Sequence, residues 1–227
     1  MLYASYELQK NWLAGASAFA NFGAQMLTSP LNPLSYTGQG PMVASALEVF
    51  SHAATPYGKP KFDLNETTVD GQTVAVREEI VLRKPFGQLK RFVREGVADG
   101  APKLLIAAPM SGHYATLLRG TVERMLPEHD VYITDWRDAR NVPLSDGKFD
   151  LDDYVDYLIE FLEQMGPKSH ILAVCQPSVP VYMAACVMAG DKHPDRPASI
   201  TMMGGPIDTR EAPTLVNTVA MDRPLRW

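Results

Sequence analysis

The stretch HILAVCQPSVPVYMAACVMAG, positions 170–190, constrains this chain more than any other. It opens on four apolar residues, 171–174, short enough for a strand buried on both faces. Cys175 follows directly, then Pro177 and Pro180, then an apolar run of helix formers over 181–188. Proline is tolerated in the first turn of a helix, because its missing N–H would have had no partner there. The order is therefore strand, sharp turn, helix, with a thiol at the apex. That is the layout of a nucleophile elbow, in which a strained turn lifts a reactive side chain above a sheet and aims a helix N-terminus at it. The usual form is Gly-x-Ser-x-Gly; here it reads Ala173-x-Cys175-x-Pro177. Ala is small enough for the first glycine's place, whereas Pro177 adds bulk in the last. A cysteine ending an apolar strand is more often a packed small hydrophobe than a nucleophile, so the flanking sequence decides.

The flanks alternate strand and helix. Residues 67–93 contain Asp70-Gly71, a hairpin turn signal, then apolar/polar alternation over 73–82, which predicts two or three antiparallel strands at a sheet edge. After Gly100 the pattern becomes strand–helix–strand–helix, the mark of a mainly parallel sheet covered by helices. Strands are expected at 104–108, 131–134, 171–174 and 199–203, and a helix over 114–126. Asp150 reads as the N-cap of a further helix that buries Leu151, Tyr154, Leu158, Leu162 and Met165 and stops at Gly166-Pro167. The expected fold is α/β-hydrolase, mostly parallel, with an N-terminal helical extension and an incomplete C-terminus. The expected organisation is an extension and linker over 1–60, a core over 61–211 and the start of a further region over 212–227.

The thiol falls on the third strand of this series, and the loop two strands earlier is Met110-Ser111-Gly112-His113. In an α/β-hydrolase sheet that loop supplies one of two backbone N–H groups that stabilise the oxyanion of an attacked carbonyl. Gln176 is the expected first donor, and Met110 or Ser111 the second. A thiol also needs a base, normally His, itself oriented by an acid. His113 is placed to orient substrate. His193, the only histidine after Cys175, reads as a loop residue at the opposite end of the sheet; His52, His129 and His170 read as structural. Asp208 follows the last strand at the correct end for an acid, with loop capping as its simpler role. The sequence offers a nucleophile and an oxyanion hole without a base.

Residues 2–28 read as one helix whose apolar stripe is Trp12, Ala16, Phe19, Gly23 and Met26. Such a stripe docks on a protein core or adsorbs to an apolar surface. Prolines and glycines break up 29–60, leaving one short helix over 42–52. The net charge of −5 argues against nucleic acid as a partner. Cys175 and Cys186 lie toward opposite ends of one unit, too far apart to bridge, which suits a reducing cytoplasm. No apolar run approaches the about 18 residues of a membrane span, and the first residues lack a secretory pattern.

The segments MLYASYELQ, SPLNPLSYT, YITDWRDARNVPL, AVCQPSVP and MGGPIDTR together resemble the intracellular poly(3-hydroxybutyrate) depolymerases, which degrade bacterial storage polyester. The resemblance implies that Cys175 is the catalytic cysteine and that the family's Asp and His lie in a C-terminal part missing here. It also implies thiol attack on the polyester carbonyl and no cofactor or metal. The partner would be the granule surface, in the cytoplasm. On this reading the chain by itself is an inactive fragment, with its last strand, 199–203, an exposed edge open to self-association. Two rivals remain. A polyhydroxyalkanoate synthase-like acyltransferase is disfavoured by Ala173 and Pro177, where synthases resemble Gly-x-Cys-x-Gly. A non-catalytic granule-binding protein is the other.

Overall fold

The computed structural model describes residues 2–55, 57–110 and 114–223. They fall into two compact units, Met1–Lys59 and Pro60–Trp227.

The first unit is a helical hairpin. Helix α1, Leu2–Thr28, is joined by a 3-10 turn, Pro33–Tyr36, to α2, Gln39–Ala54. Asn32 organises the connection: its Oδ1 accepts from the Leu34 N–H at 3.0 Å and its Nδ2 donates to the Met26 carbonyl at 2.9 Å. The helices meet through small residues. Ser17, Ala20 and Ala24 are buried on α1, as are Gly40, Ala44 and Ser51 on α2. A side chain on Gly23 would crowd Leu47. Of the apolar stripe, Gly23 lies at this seam, whereas Trp12, Phe19 and Met26 are exposed. Small residues let two backbones approach closely, which turns the bulky face outward. The helix expected over 42–52 is longer at both ends.

The second unit holds one seven-stranded sheet in the order β1-β2-β3-β5-β4-β6-β7. The strands are β1 Glu66–Val69, β2 Gln72–Arg83, β3 Gly87–Arg94, β4 Lys103–Ala107, β5 Asp130–Trp136, β6 His170–Val174 and β7 Ser199–Met203. The β1–β2–β3–β5 pairs are antiparallel, and β5, β4, β6 and β7 run parallel. Parallel neighbours need crossovers, and α3 Arg119–Met125, α4 Leu151–Met165 and α5 Ser178–Gly190 supply them. A last short helix, α6, spans Leu215–Met221. This is an α/β-hydrolase fold. The sheet is covered on both faces: Leu105, Ala107, Ile171 and Ala173 pack toward Phe161, Leu162 and Val181, while Leu104, Ile106 and Leu172 pack toward Phe62, Val122 and Leu126. That alternation explains why the strands read as unbroken apolar runs.

Asp150 caps α4 as expected. Its side chain accepts from the backbone N–H groups of Asp152 and Asp153, and Asp153 returns the bond to the Asp150 N–H at 2.8 Å. The helix ends at Gly166, whose φ of 77° a side chain would strain. Two expectations fail in detail. Leu151 is exposed rather than buried, because the first turn of α4 projects beyond the sheet end. The helix expected over 114–126 opens as a 3-10 turn, Ala115–Leu118. At the sheet edge, Met202 and Met203 of β7 are exposed.

Candidate active site

Cys175 follows β6 without an intervening residue and has a φ of +66°. A non-glycine residue in the left-handed region costs about 1–3 kcal/mol and persists only where its surroundings hold it there. Here they do. The Cys175 N–H donates to the Met203 carbonyl at 2.7 Å, and its carbonyl accepts from the Ser178 N–H at 3.1 Å. Pro177 has φ −58° and ψ −15°, already helical, and its carbonyl accepts from Val181. The departure at Pro177 thus serves as the pre-set entry to α5. The thiol and Gln176 are exposed. The turn leads straight into α5, whose N-terminal dipole favours negative charge nearby.

The loop after β4 lies beside this turn, since Ala107 pairs with Ala173. Its first residue is fixed on both sides. The Ala108 N–H donates to Thr134 Oγ1 at 2.9 Å, and the Ala108 carbonyl accepts from Trp136 Nε1 at 2.9 Å, both buried. Met110 is half-buried against the Phe161 side of the core. Ser111 and His113 lie outside the described residues. The Thr134–Trp136 clamp escaped the sequence reading, although a threonine and a tryptophan two apart on β5 project to one face.

A cleft of about 610 Å³ opens beside Gln176, walled by Leu151, Val179, Pro180 and Ile207, with Tyr154, Asp208 and Arg210 also lining it. Burial pushes the Tyr154 phenol above its ordinary range. Asp208 reaches the expected sheet end but is engaged there by its own loop. It accepts from the Arg210 backbone N–H at 3.0 Å, from Arg210 Nε at 2.9 Å and from Arg210 Nη2 at 2.6 Å. The Arg210 guanidinium and then its backbone N–H hold the Asp208 carboxyl below the usual range.

The described histidines of this unit are elsewhere. His170 opens β6, with Nδ1 2.7 Å from Ser199 Oγ. His129 immediately precedes β5, with Nδ1 3.2 Å from the Met125 carbonyl. His193 precedes β7; its Nδ1 accepts from the Asp195 N–H and its Nε2 faces Glu163 at 3.1 Å. All three sit at the amino ends of parallel strands, away from Cys175. Cys175 and Cys186 are both free thiols. Among the described residues, no group of His, Cys, Asp and Glu could hold a metal ion, and no helix is long and apolar enough to cross a membrane.

No protein-family model and no curated protein sequence matches the chain. Among solved structures it is similar to naproxen esterase (carboxylesterase NP) from Bacillus subtilis, with a TM-score of 0.41 and 17% identity over 56% of this chain and 42% of that one. It is similar also to carboxylesterase CesB from Bacillus subtilis, with a TM-score of 0.38 and 11% identity over 56% of this chain and 43% of that one. The chain thus spans less than half the length of the esterases it matches.

Proposed function

We propose that this chain carries the nucleophilic half of a carboxylic ester hydrolase that works through a cysteine acyl-enzyme, with poly(3-hydroxybutyrate) as the polyester substrate. The observation that carries the reading is Cys175, exposed and left-handed at the join between β6 and α5. In the first step Cys175 Sγ attacks the ester carbonyl, and the S–C bond forms as the C–O bond breaks. The alcohol leaves with the electron pair, and the thiol proton passes to the leaving group or to water. The N–H of Gln176, with that of Met110 or Ser111, would stabilise the oxyanion. The second step, water attack on the thioester, needs a base to activate the water. Among the described histidines of this unit none stands at the sheet end that bears the thiol, so the acyl group is expected to stay.

The test uses p-nitrophenyl 3-hydroxybutyrate, whose leaving group departs without an acid. We expect a single stoichiometric release of nitrophenolate, one acyl group on Cys175 by peptide mapping, none on Cys186, and no steady turnover. Cys175→Ala should abolish the release. Equal acylation of Cys186, or none at Cys175, overturns the reading; turnover of amorphous polymer abolished by Cys175→Ala overturns the expectation that the acyl group stays. A second reading, a polymer-binding protein without turnover, draws support from the exposed Trp12, Phe19 and Phe22 of α1. It would be favoured by polymer binding without acylation.

A further inference from the structure

The segment Met203-Gly204-Gly205-Pro206-Ile207-Asp208 is prominent in the sequence, yet the reaction above gives its glycines no part. Past β7 the chain turns at Gly204 and brings Gly205 against the start of α5. A Cβ on Gly205 would overlap Ser178 Oγ and Cβ and stand 2.9 Å from the Cys175 carbonyl oxygen. Ser178 is fully buried, and its hydroxyl has no hydrogen-bond partner among the described residues. A buried hydroxyl is normally paired, so packing rather than bonding accounts for Ser178. The carbonyl that Gly205 approaches is the one that accepts from the Ser178 N–H, and the amide of the same cysteine is held by Met203. The segment therefore grips both polar atoms of the Cys175 backbone, one by a hydrogen bond and one by contact.

We infer that Gly205 is a positioning residue: its bare Cα, seated on Ser178 and on the Cys175 carbonyl, holds Cys175 in the left-handed conformation that presents the thiol. The catalytic meaning rests on reading Cys175 as the nucleophile, but the contact is measurable without any ester. A side chain at 205 must push either Ser178 or the Cys175 peptide away. Moving the peptide releases the strained φ and turns the thiol from its place.

The measurement is the rate of alkylation by iodoacetamide at Cys175 relative to Cys186, read by peptide mapping. Both thiols are exposed in one molecule, so Cys186 reports any general loosening. Gly205→Ala should change the Cys175/Cys186 ratio by about tenfold or more, the rate equivalent of the strain released. Adding Ser178→Gly removes two of the three atoms that the new methyl would strike and leaves the Cys175 carbonyl, so it should bring the ratio part of the way back. An unchanged ratio in a folded Gly205→Ala chain overturns the inference. So does a folded double variant whose ratio is no nearer the parent's. If Gly205→Ala does not fold, the double variant decides: a folded chain with a ratio still displaced from the parent's supports the contact, and a folded chain with the parent's ratio, or continued failure to fold, overturns it. Normal alkylation of Cys175 without acylation by the ester would instead count against the hydrolase reading alone.

Discussion

At the carboxyl ends of the parallel strands the backbone is bent at Cys175, a cleft opens beside it, and the residues lining that cleft are largely apolar. At the amino ends of the same strands most polar groups are paired, the buried Ser169 hydroxyl being an exception. His170 meets Ser199, His193 meets Glu163, Arg91 is bidentate on Asp130, and the Lys103 ammonium is bonded to the Met165 carbonyl. One end stores strain and space, and the other pairs most of its polar groups. Strain persists only where neighbours over-determine it, so the carboxyl end should depend on a few buried bonds. Satisfied surface pairs contribute little individually, so the amino end should tolerate change.

The sharpest way to break this contrast is the clamp on Ala108. Thr134→Val keeps the shape but leaves the buried Ala108 N–H without its acceptor; Trp136→Phe does the same to the Ala108 carbonyl. Each should lower unfolding stability by about 1–3 kcal/mol, the cost of a buried polar group left unpaired. Trp136→Phe should lie at the upper end, because the indole also packs on Tyr154, at 4.6 Å between ring centroids. Urea titration gives the stability, and the p-nitrophenyl ester gives the rate of Cys175 acylation. Both should fall together. Stability lost with acylation unchanged would mean that the β4 loop contributes nothing to the site.

Much of this end was legible from residue order. The apolar run before Cys175 and the prolines after it dictate strand, turn and helix, and the Asp150 cap follows from its place before an apolar periodic segment. The strained turn at Cys175 followed from the elbow pattern, though not its left-handed φ. What could not be read are contacts between segments distant in sequence. Ala108 is clamped from β5, some 26 residues on, and Gly205 fits beneath a turn 30 positions earlier in the chain. Neither partner carries a local signal. The seam of the first unit carries no sequence signal for a related reason: close helix packing there selects Ser17, Ala20 and Ala24, which hydropathy leaves unremarkable beside Trp12 and Phe19.

Titration distinguishes the two ends on the acid side. Asp150, at the N-terminus of α4, is held down to about 2, chiefly by Lys148 and then by the Asp153 backbone N–H. A depressed carboxyl stabilises the fold above its unfolded pKa of about 4, and that contribution is lost as pH falls toward about 2. Asp208 shifts the same way through Arg210. Tyr132, near the start of β5, is pushed up to about 12 by burial and then by Asp130. Its contribution is present below its unfolded pKa of about 10 and is lost as pH rises toward about 12. Acid should therefore loosen the cleft end first, whereas alkali acts at both, on Tyr132 at the amino end and on Tyr154 in the cleft. Thermal midpoints measured against pH check this. Asp150→Asn should flatten the acid limb alone and Tyr132→Phe the alkaline limb alone; either variant moving the opposite limb would show that the ends are not separable.

The smallest effects are expected at the amino-end histidines. His193 makes its Nε2 contact with Glu163 at a site where the two side chains are 27% and 40% exposed. Solvent screens such a pair. His193→Gln, which preserves a donor toward Glu163, should change stability by no more than about 0.5 kcal/mol, as for other surface substitutions. It should leave the pH dependence of Cys175 acylation where it was, because His193 and Cys175 flank opposite ends of α5. An α-helix rises 1.5 Å per residue, and the 13 residues of α5 therefore hold the two groups roughly 20 Å apart, far beyond proton-transfer reach. If the neutral limb of that profile vanished in His193→Gln, the imidazole would be acting on the thiol after all. The division between a reactive end and a paired end would then have to be redrawn.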